Sequence, residues 1–140
     1  MTRAVEETNR RLLRARDAMD RAYGEPLDIA HLAALAHVSP AHFIRVFALT
    51  FGETPHRYLQ RRRIERAMFL LRTTDRSVTD ICMAVGFSSL GTFSRTFRQI
   101  VGTSPSAHRA LGPLPPAPSC FGMNWLRPSS FGEAGRPAAG

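Results

Sequence analysis

The sequence predicts an all-α protein in which two helix-turn-helix subdomains are joined by a long central linker helix, a homeodomain-like arrangement. Three observations carry that expectation. The chain repeats itself: Ile29, Leu32, Ala33, Ala36, Val38 and Ser39 return 49 positions later as Val78, Ile81, Cys82, Val85, Phe87 and Ser88. The offset then becomes 50, and Phe43, Arg45, Phe47, Gly52 and Pro55 recur as Phe93, Arg95, Phe97, Gly102 and Pro105. Each copy reads as a short helix, a tight turn and a longer helix closed by a glycine, and an arginine-rich helical stretch lies between the copies.

The elements follow in order. Residues 5–23 form a first helix with Leu12, Ala15, Met19 and Tyr23 on one face, ended by Gly24 and Pro26. The first unit occupies about residues 28–52. Asp28 precedes a short helix over 30–36, the turn is His37-Val38-Ser39, and Ser39 caps the next helix with Pro40 at its first position. Phe43, Val46, Phe47 and Phe51 point inward, and Gly52 is the stop. The linker helix covers 55–72, with Tyr58, Leu59, Ile64, Ala67, Met68 and Leu71 as its apolar stripe. The second unit occupies 77–102: Ser77 caps, Gly86-Phe87-Ser88 turns with a glycine suited to positive φ, and a helix over 89–101 buries Phe93, Phe97 and Ile100. A short turn or helix follows Pro105. The domain is expected over 1–111, and 112–140, with six Pro and five Gly, is expected to be a mostly irregular tail, while Cys120, Phe121, Trp125 and Phe131 are more apolar material than a linker needs and make a segment that docks on the domain or a partner the alternative.

Charge is concentrated where the repeat is. Residues 28–109 hold eleven Arg against five acids, giving +6 of a formal net charge of +8. That surplus suits a polyanion, although a basic surface also serves solubility alone. All 19 basic residues are Arg, which codon usage explains as well as guanidinium chemistry does. Other classes lose support. Cys82 and Cys120 have neither metal spacing nor a disulfide framework, and Cys82 falls on an apolar helix face. His31, His37, His56 and His108 make no ligand-like cluster, and no Ser, His and Asp are spaced as a triad. No metal, no cofactor and no enzymatic activity are expected. With no apolar run of membrane-spanning length and an N-terminus carrying Arg3, Glu6 and Glu7, neither membrane contact nor a signal peptide is expected, and the location expected is cytoplasmic.

A helix-turn-helix lays its second helix in a DNA major groove, with the residues near its start against base edges. Ala41, His42, Ile44 and Arg45 are left outward in the first unit, and Leu90, Gly91, Thr92 and Arg95 in the second. Arg45 and Arg95 hold the same place in the repeat and suit either a guanine edge or a phosphate. Ala41, Ile44 and Leu90 suit thymine methyls, and readout then mixes apolar contact with DNA shape. Ser39, Ser88, Ser89, Arg61, Arg62 and Arg98 are the expected phosphate contacts, while the linker arginines fit a solvated face equally well. A stiff linker of 18 residues spans roughly 27 Å, comparable with the one-turn groove spacing, so one monomer is expected to reach two half-sites on double-stranded DNA.

These residues resemble a known family. Residues 8–110 are similar to the DNA-binding domain of the AraC/XylS family of bacterial transcription regulators. The likeness rests on Leu32-Ala33, on Ser39 leading to His42-Phe43-Ile44-Arg45-Val46-Phe47, and on Gly52, Pro55, Tyr58 and Leu70-Leu71. In the second half it rests on Ile81, Gly86-Phe87, Phe93-Ser94-Arg95-Thr96-Phe97, Gly102-Thr103-Ser104-Pro105 and Arg109. The resemblance implies a promoter or operator as target, activation through contact with RNA polymerase, and base contact from Ala41, Ile44, Arg45, Leu90, Gly91, Thr92 and Arg95. Members often carry polar or aromatic residues where this chain has Ala41, Ile44, Leu90 and Gly91. Many also carry a ligand-sensing, dimerising domain in front, for which about 25 residues leave no room, so the short stand-alone members are the expected kin. The alternative from another class is a helical protein-interaction module or co-regulator whose DNA binding is weak or nonspecific, favoured by exposed Ile44, Leu49 and Leu90. Nonspecific coating of nucleic acid is a third.

Overall fold

The structure is a computed structural model that describes residues 2–114, so the segment beyond Leu114, Cys120 included, lies outside the described residues. Seven helices follow one another, with no strand among the described residues: α1 (Arg3–Arg21), α2 (Ile29–Leu35), α3 (Pro40–Phe51), α4 (Pro55–Thr73), α5 (Val78–Ala84), α6 (Leu90–Val101) and α7 (Pro105–Arg109). No single helix among them is long and apolar enough to cross a membrane.

The local chemistry that starts and stops these helices is repeated. Ser39, Thr54, Ser77, Ser89 and Ser104 cap α3 to α7, each accepting the backbone N–H three residues on. Pro40, Pro55 and Pro105 stand in the first turns of α3, α4 and α7, where a missing N–H leaves nothing unpaired. Gly52 and Gly102, in the left-handed region at φ 81° and 96°, end α3 and α6. The first helix departs from the expected 5–23. Thr2 accepts the Val5 N–H at 3.2 Å and starts α1 at Arg3, and the chain leaves helical geometry at Ala22 (φ −124°). Tyr23 therefore lies past the helix, where it touches both cores.

Two hydrophobic cores share one helix. The first gathers Leu12, Ala15 and Met19 of α1, Leu32 and Ala33 of α2, Phe43 and Phe47 of α3, and Tyr58 and Leu59 from the start of α4. The second gathers Ile64, Ala67, Leu70 and Leu71 from the rest of α4 with Ile81, Cys82, Phe93 and Phe97. Cys82 is fully buried as a small apolar side chain. The rings interlock alike. Phe47 meets Phe43, Phe51 and Tyr58 at centroid separations of 5.6, 4.6 and 5.8 Å. Phe97 meets Phe93 at 5.8 Å and His108 of α7 at 5.7 Å. His108 thus occupies the place of Tyr58, and α7 repeats the first turn of α4.

The change of offset from 49 to 50 is located in the second turn. Residues 36–39 join α2 to α3, whereas 85–89 join α5 to α6. The added residue makes Ser89, not Ser88, the counterpart of Ser39 as cap. The left-handed position falls on Gly86 in the second turn (φ 104°) and on His37 in the first (φ 60°).

Candidate nucleic-acid interface

The exposed faces of α3 and α6 are fixed by what those helices bury. In α3, Phe43 and Phe47 are fully buried, so Ala41, His42, Ile44 and Arg45 are left exposed. In α6, Phe93 and Phe97 are fully buried, and Leu90, Gly91, Thr92 and Arg95 are exposed, with Arg98 a turn further on. Neither helix contains an acidic residue, so no carboxylate on either face opposes a phosphate or pairs off its arginine. Leu49, near the end of α3, is 84% exposed and extends the apolar part of the first face beyond Ile44.

The helix starts add polar groups. Ser39 Oγ accepts the His42 N–H and Ser89 Oγ the Thr92 N–H, both at 3.2 Å. A hydroxyl that accepts still has its own proton to donate, and the positive end of each helix dipole lies beside it. Ser88 is exposed just before the cap. Together these groups are chemically suited to phosphate oxygens. One difference separates the faces: Arg45 Nη2 approaches His42 Nδ1 at 3.3 Å, which holds the guanidinium against its own helix. Thr92 stands at the matching place in α6 and has no such hold on Arg95.

Two of the expected phosphate contacts, Arg61 and Arg62, carry ion pairs within the domain. Arg61 donates to Glu53 Oε2 at 3.1 Å through Nε and to Glu65 Oε2 at 2.8 Å through Nη1. Arg62 donates to Asp20 Oδ1 at 2.9 Å and to Glu65 Oε1 at 2.7 Å, and Asp20 also accepts the Tyr58 hydroxyl at 2.7 Å. Glu65, with a side chain only 4% exposed, is the acid that draws both guanidiniums inward. Burial works against both arginine charges, and the carboxylates together outweigh it, so both pKa values are raised. Burial pushes the Glu65 carboxyl up, against the pull of the same two arginines, and also raises Tyr58. The network ties α1 to α4. The sequence held a signal for this: Glu65 is the only acid in α4, at i+4 from Arg61 and i+3 from Arg62.

Other arginines are also occupied. Arg63 donates to the Tyr23 and Glu25 carbonyls, Arg72 to the Gly112 carbonyl, and Arg109 to the carbonyls of Leu71, Thr74 and Arg76. Arg57, Arg66 and Arg76 are exposed outside the helix-turn-helix faces; Arg57 and Arg66 belong to the linker arginines, for which phosphate contact and a solvated face were both expected, and Arg76 was not singled out from sequence. Exposure after folding distinguishes them from the occupied arginines, and residue type does not.

Known proteins share this architecture. A family model for a helix-turn-helix domain matches residues 32–110. The transcriptional regulator CdhR of Pseudomonas aeruginosa is 36% identical over 107 residues, which cover 76% of this chain and 32% of that protein. The MmsAB operon regulatory protein of the same species is 37% identical over 83 residues, 59% of this chain and 27% of that one. The chain thus spans about a third, or less, of the length of these curated relatives. Among solved structures, a transcriptional regulator with an AraC-type DNA-binding domain from Chromobacterium violaceum is 33% identical with a TM-score of 0.68, covering 73% of this chain and 91% of its own. The DNA-binding domain of the global transcriptional factor AdpA, solved in complex with a target DNA, is 33% identical with a TM-score of 0.67, covering 71% and 90%. The chain belongs to the AraC/XylS family of helix-turn-helix DNA-binding transcription regulators.

Proposed function

We propose that this chain reads DNA sequence as a monomer, with α3 and α6 in successive major grooves of a promoter or operator and Arg45 and Arg95 on base edges. One observation carries the reading: two like-capped, acid-free helices present an exposed arginine at the same place in a repeat. The joining helix supports it, since 19 residues span roughly 28 Å. Ala41, Ile44, Leu90 and Gly91 supply apolar surface for thymine methyls beside the arginines, and His42 and Thr92 supply polar edges. Ser39, Ser88, Ser89 and Arg98 hold phosphates, with Arg57 and Arg76 in place of Arg61 and Arg62. Transcriptional activation through RNA polymerase, and a cytoplasmic location, complete the proposal.

Selection of bound sites from a random duplex library at near-physiological salt tests it. Two preferred blocks about 10 base pairs apart are expected. Arg45→Ala and Arg95→Ala should each erase preference in one block, at roughly 1–3 kcal/mol per lost bidentate contact. A double variant that keeps both blocks overturns the base-reading role. The second reading, a protein-interaction module, is favoured by the exposure of Leu49, Ile44 and Leu90; absence of any enriched block selects it.

A further inference from the structure

We propose that Arg63 is a spacing-determining residue: it fixes how the second reading helix is oriented relative to the first, and thereby which half-site separation the chain accepts. The inference rests on the two-groove reading above. The units hang on different halves of α4, Tyr58 and Leu59 in one core and Ile64, Ala67, Leu70 and Leu71 in the other. A helix of this length curves, and sharing it does not by itself set the angle between what its two ends carry.

A second connection closes that freedom. The loop after α1 reaches across to the end of α5 and the second turn. Tyr23 is packed into both cores. A Cβ on Gly24 would meet the Ala84 carbonyl at 3.4 Å, and a Cβ on Gly86 would meet the Gly24 carbonyl at 3.0 Å. Arg63 sits in this seam. Its Nε donates to the Tyr23 carbonyl and its Nη2 to the Glu25 carbonyl, both at 2.7 Å, and its guanidinium lies 5.9 Å from the centre of the Phe87 ring. The same guanidinium comes within 2.9 Å of where a Gly86 Cβ would be. One side chain therefore bonds the first unit's loop while lying against both inner residues of the second unit's turn. That turn leads directly into α6. No carboxylate partners Arg63 in these bonds, in contrast to Arg61 and Arg62, so its contacts are directional ones to fixed backbone oxygens.

The consequence is geometric. One extra base pair moves the second half-site about 3.4 Å along the duplex and roughly 34° around it. A stapled pair of units cannot follow such a change, and a hinged pair can.

The test uses the full chain and duplexes carrying the selected site with the spacer shortened by one base pair, unchanged, or lengthened by one. Arg63→Met keeps an unbranched stem beside Phe87 and loses both donors, and Arg63→Lys restores one charged donor. The wild-type chain should prefer the native spacer by about tenfold or more, the order of a mismatched position. Arg63→Met should lower that preference to about threefold or less while base preference inside each block stays as in wild type, and Arg63→Lys should fall between. Retained base preference in both blocks serves as the control for folding, because a collapsed unit loses its block. Undiminished spacer discrimination in Arg63→Met overturns the proposal, and so does loss of a block in both Arg63 variants. A wild-type chain that selects only one block instead removes the two-groove reading, and this inference with it.

Discussion

In the first unit the turn passes through His37 at φ 60° and spans four residues, whereas in the second it passes through Gly86 at φ 104° and spans five. The helices that follow nonetheless start and end alike, from Ser39 to Gly52 and from Ser89 to Gly102. Their supports differ again. The first unit packs against a 19-residue α1 and the start of α4, while the second packs against the rest of α4 and a five-residue α7 held down by Arg72 and Arg109 through backbone carbonyls. What is repeated is whatever aims the exposed face: the cap, the two buried phenylalanines and the glycine stop. What varies is how that aim is anchored, which any well-packed neighbour can supply.

The sharpest test of this comparison is to empty each core. Phe47→Ala and Phe97→Ala should each cost about 3–5 kcal/mol in urea unfolding. Because α4 belongs to both cores, each variant should still unfold in a single transition. Two resolved transitions would show the units to be independent.

The turns come next. Gly86→Ala forces a side chain into the left-handed region and against Arg63 and the Gly24 carbonyl, and should cost roughly 2–3 kcal/mol. His37→Gly, which copies the second turn into the first, relieves strain and should stabilise by up to about 1 kcal/mol. Thermal melting of the pair checks both signs; destabilisation by His37→Gly would mean that His37 contributes more than its backbone angle.

Caps are smaller. Ser39→Ala and Ser89→Ala should each cost about 1 kcal/mol, and Ser88→Ala less than about 0.5 kcal/mol. An equal cost for Ser88 and Ser89 would contradict the placement of the added residue.

The smallest expected effect separates Tyr58 from its counterpart. Burial, helped by the nearby Arg72 charge and opposed by a hydrogen bond to the Met68 backbone, holds the His108 pKa below its ordinary 6.5. The unfolded chain then takes up the proton first. Stability is complete above about pH 6.5 and declines as pH falls through the lowered folded value. His108→Tyr should flatten that slope in melts between about pH 7 and about pH 5, a window that starts above the ordinary histidine value and runs well below it; an unchanged slope would assign the acid sensitivity to other groups.

Much of this was legible before folding because the repeat states it twice. Ser39 and Ser77 as caps, Pro40 in a first turn, Gly52 and Gly102 as stops and the inward phenylalanines all follow from spacing. The outward faces followed too, since what is buried at a 3.6-residue period leaves the rest exposed. The roles of the linker arginines did not follow. Asp20 lies 42 positions before Arg62 and the Glu25 carbonyl 38 before Arg63, and no local pattern relates them. Net charge counted those arginines toward a polyanion although the fold turns them inward. His37 carried no sign of its left-handed backbone except its alignment with Gly86, 49 positions later.

The likeness between α4 and α7 has a constructive consequence. Thr54-Pro55 and Ser104-Pro105 begin the two helices in the same way, and Tyr58 and His108 place their rings against the preceding unit alike. One of these helices continues for 19 residues and carries a second core on its far half; the other stops after five. Among the described residues, α7 therefore repeats the opening of α4 and stops after about one turn. Lengthening α7 with the sequence that follows Tyr58 in α4, and then a further copy of the second unit, gives a direct design for a chain with three units, each packed on the helix that ends the one before it.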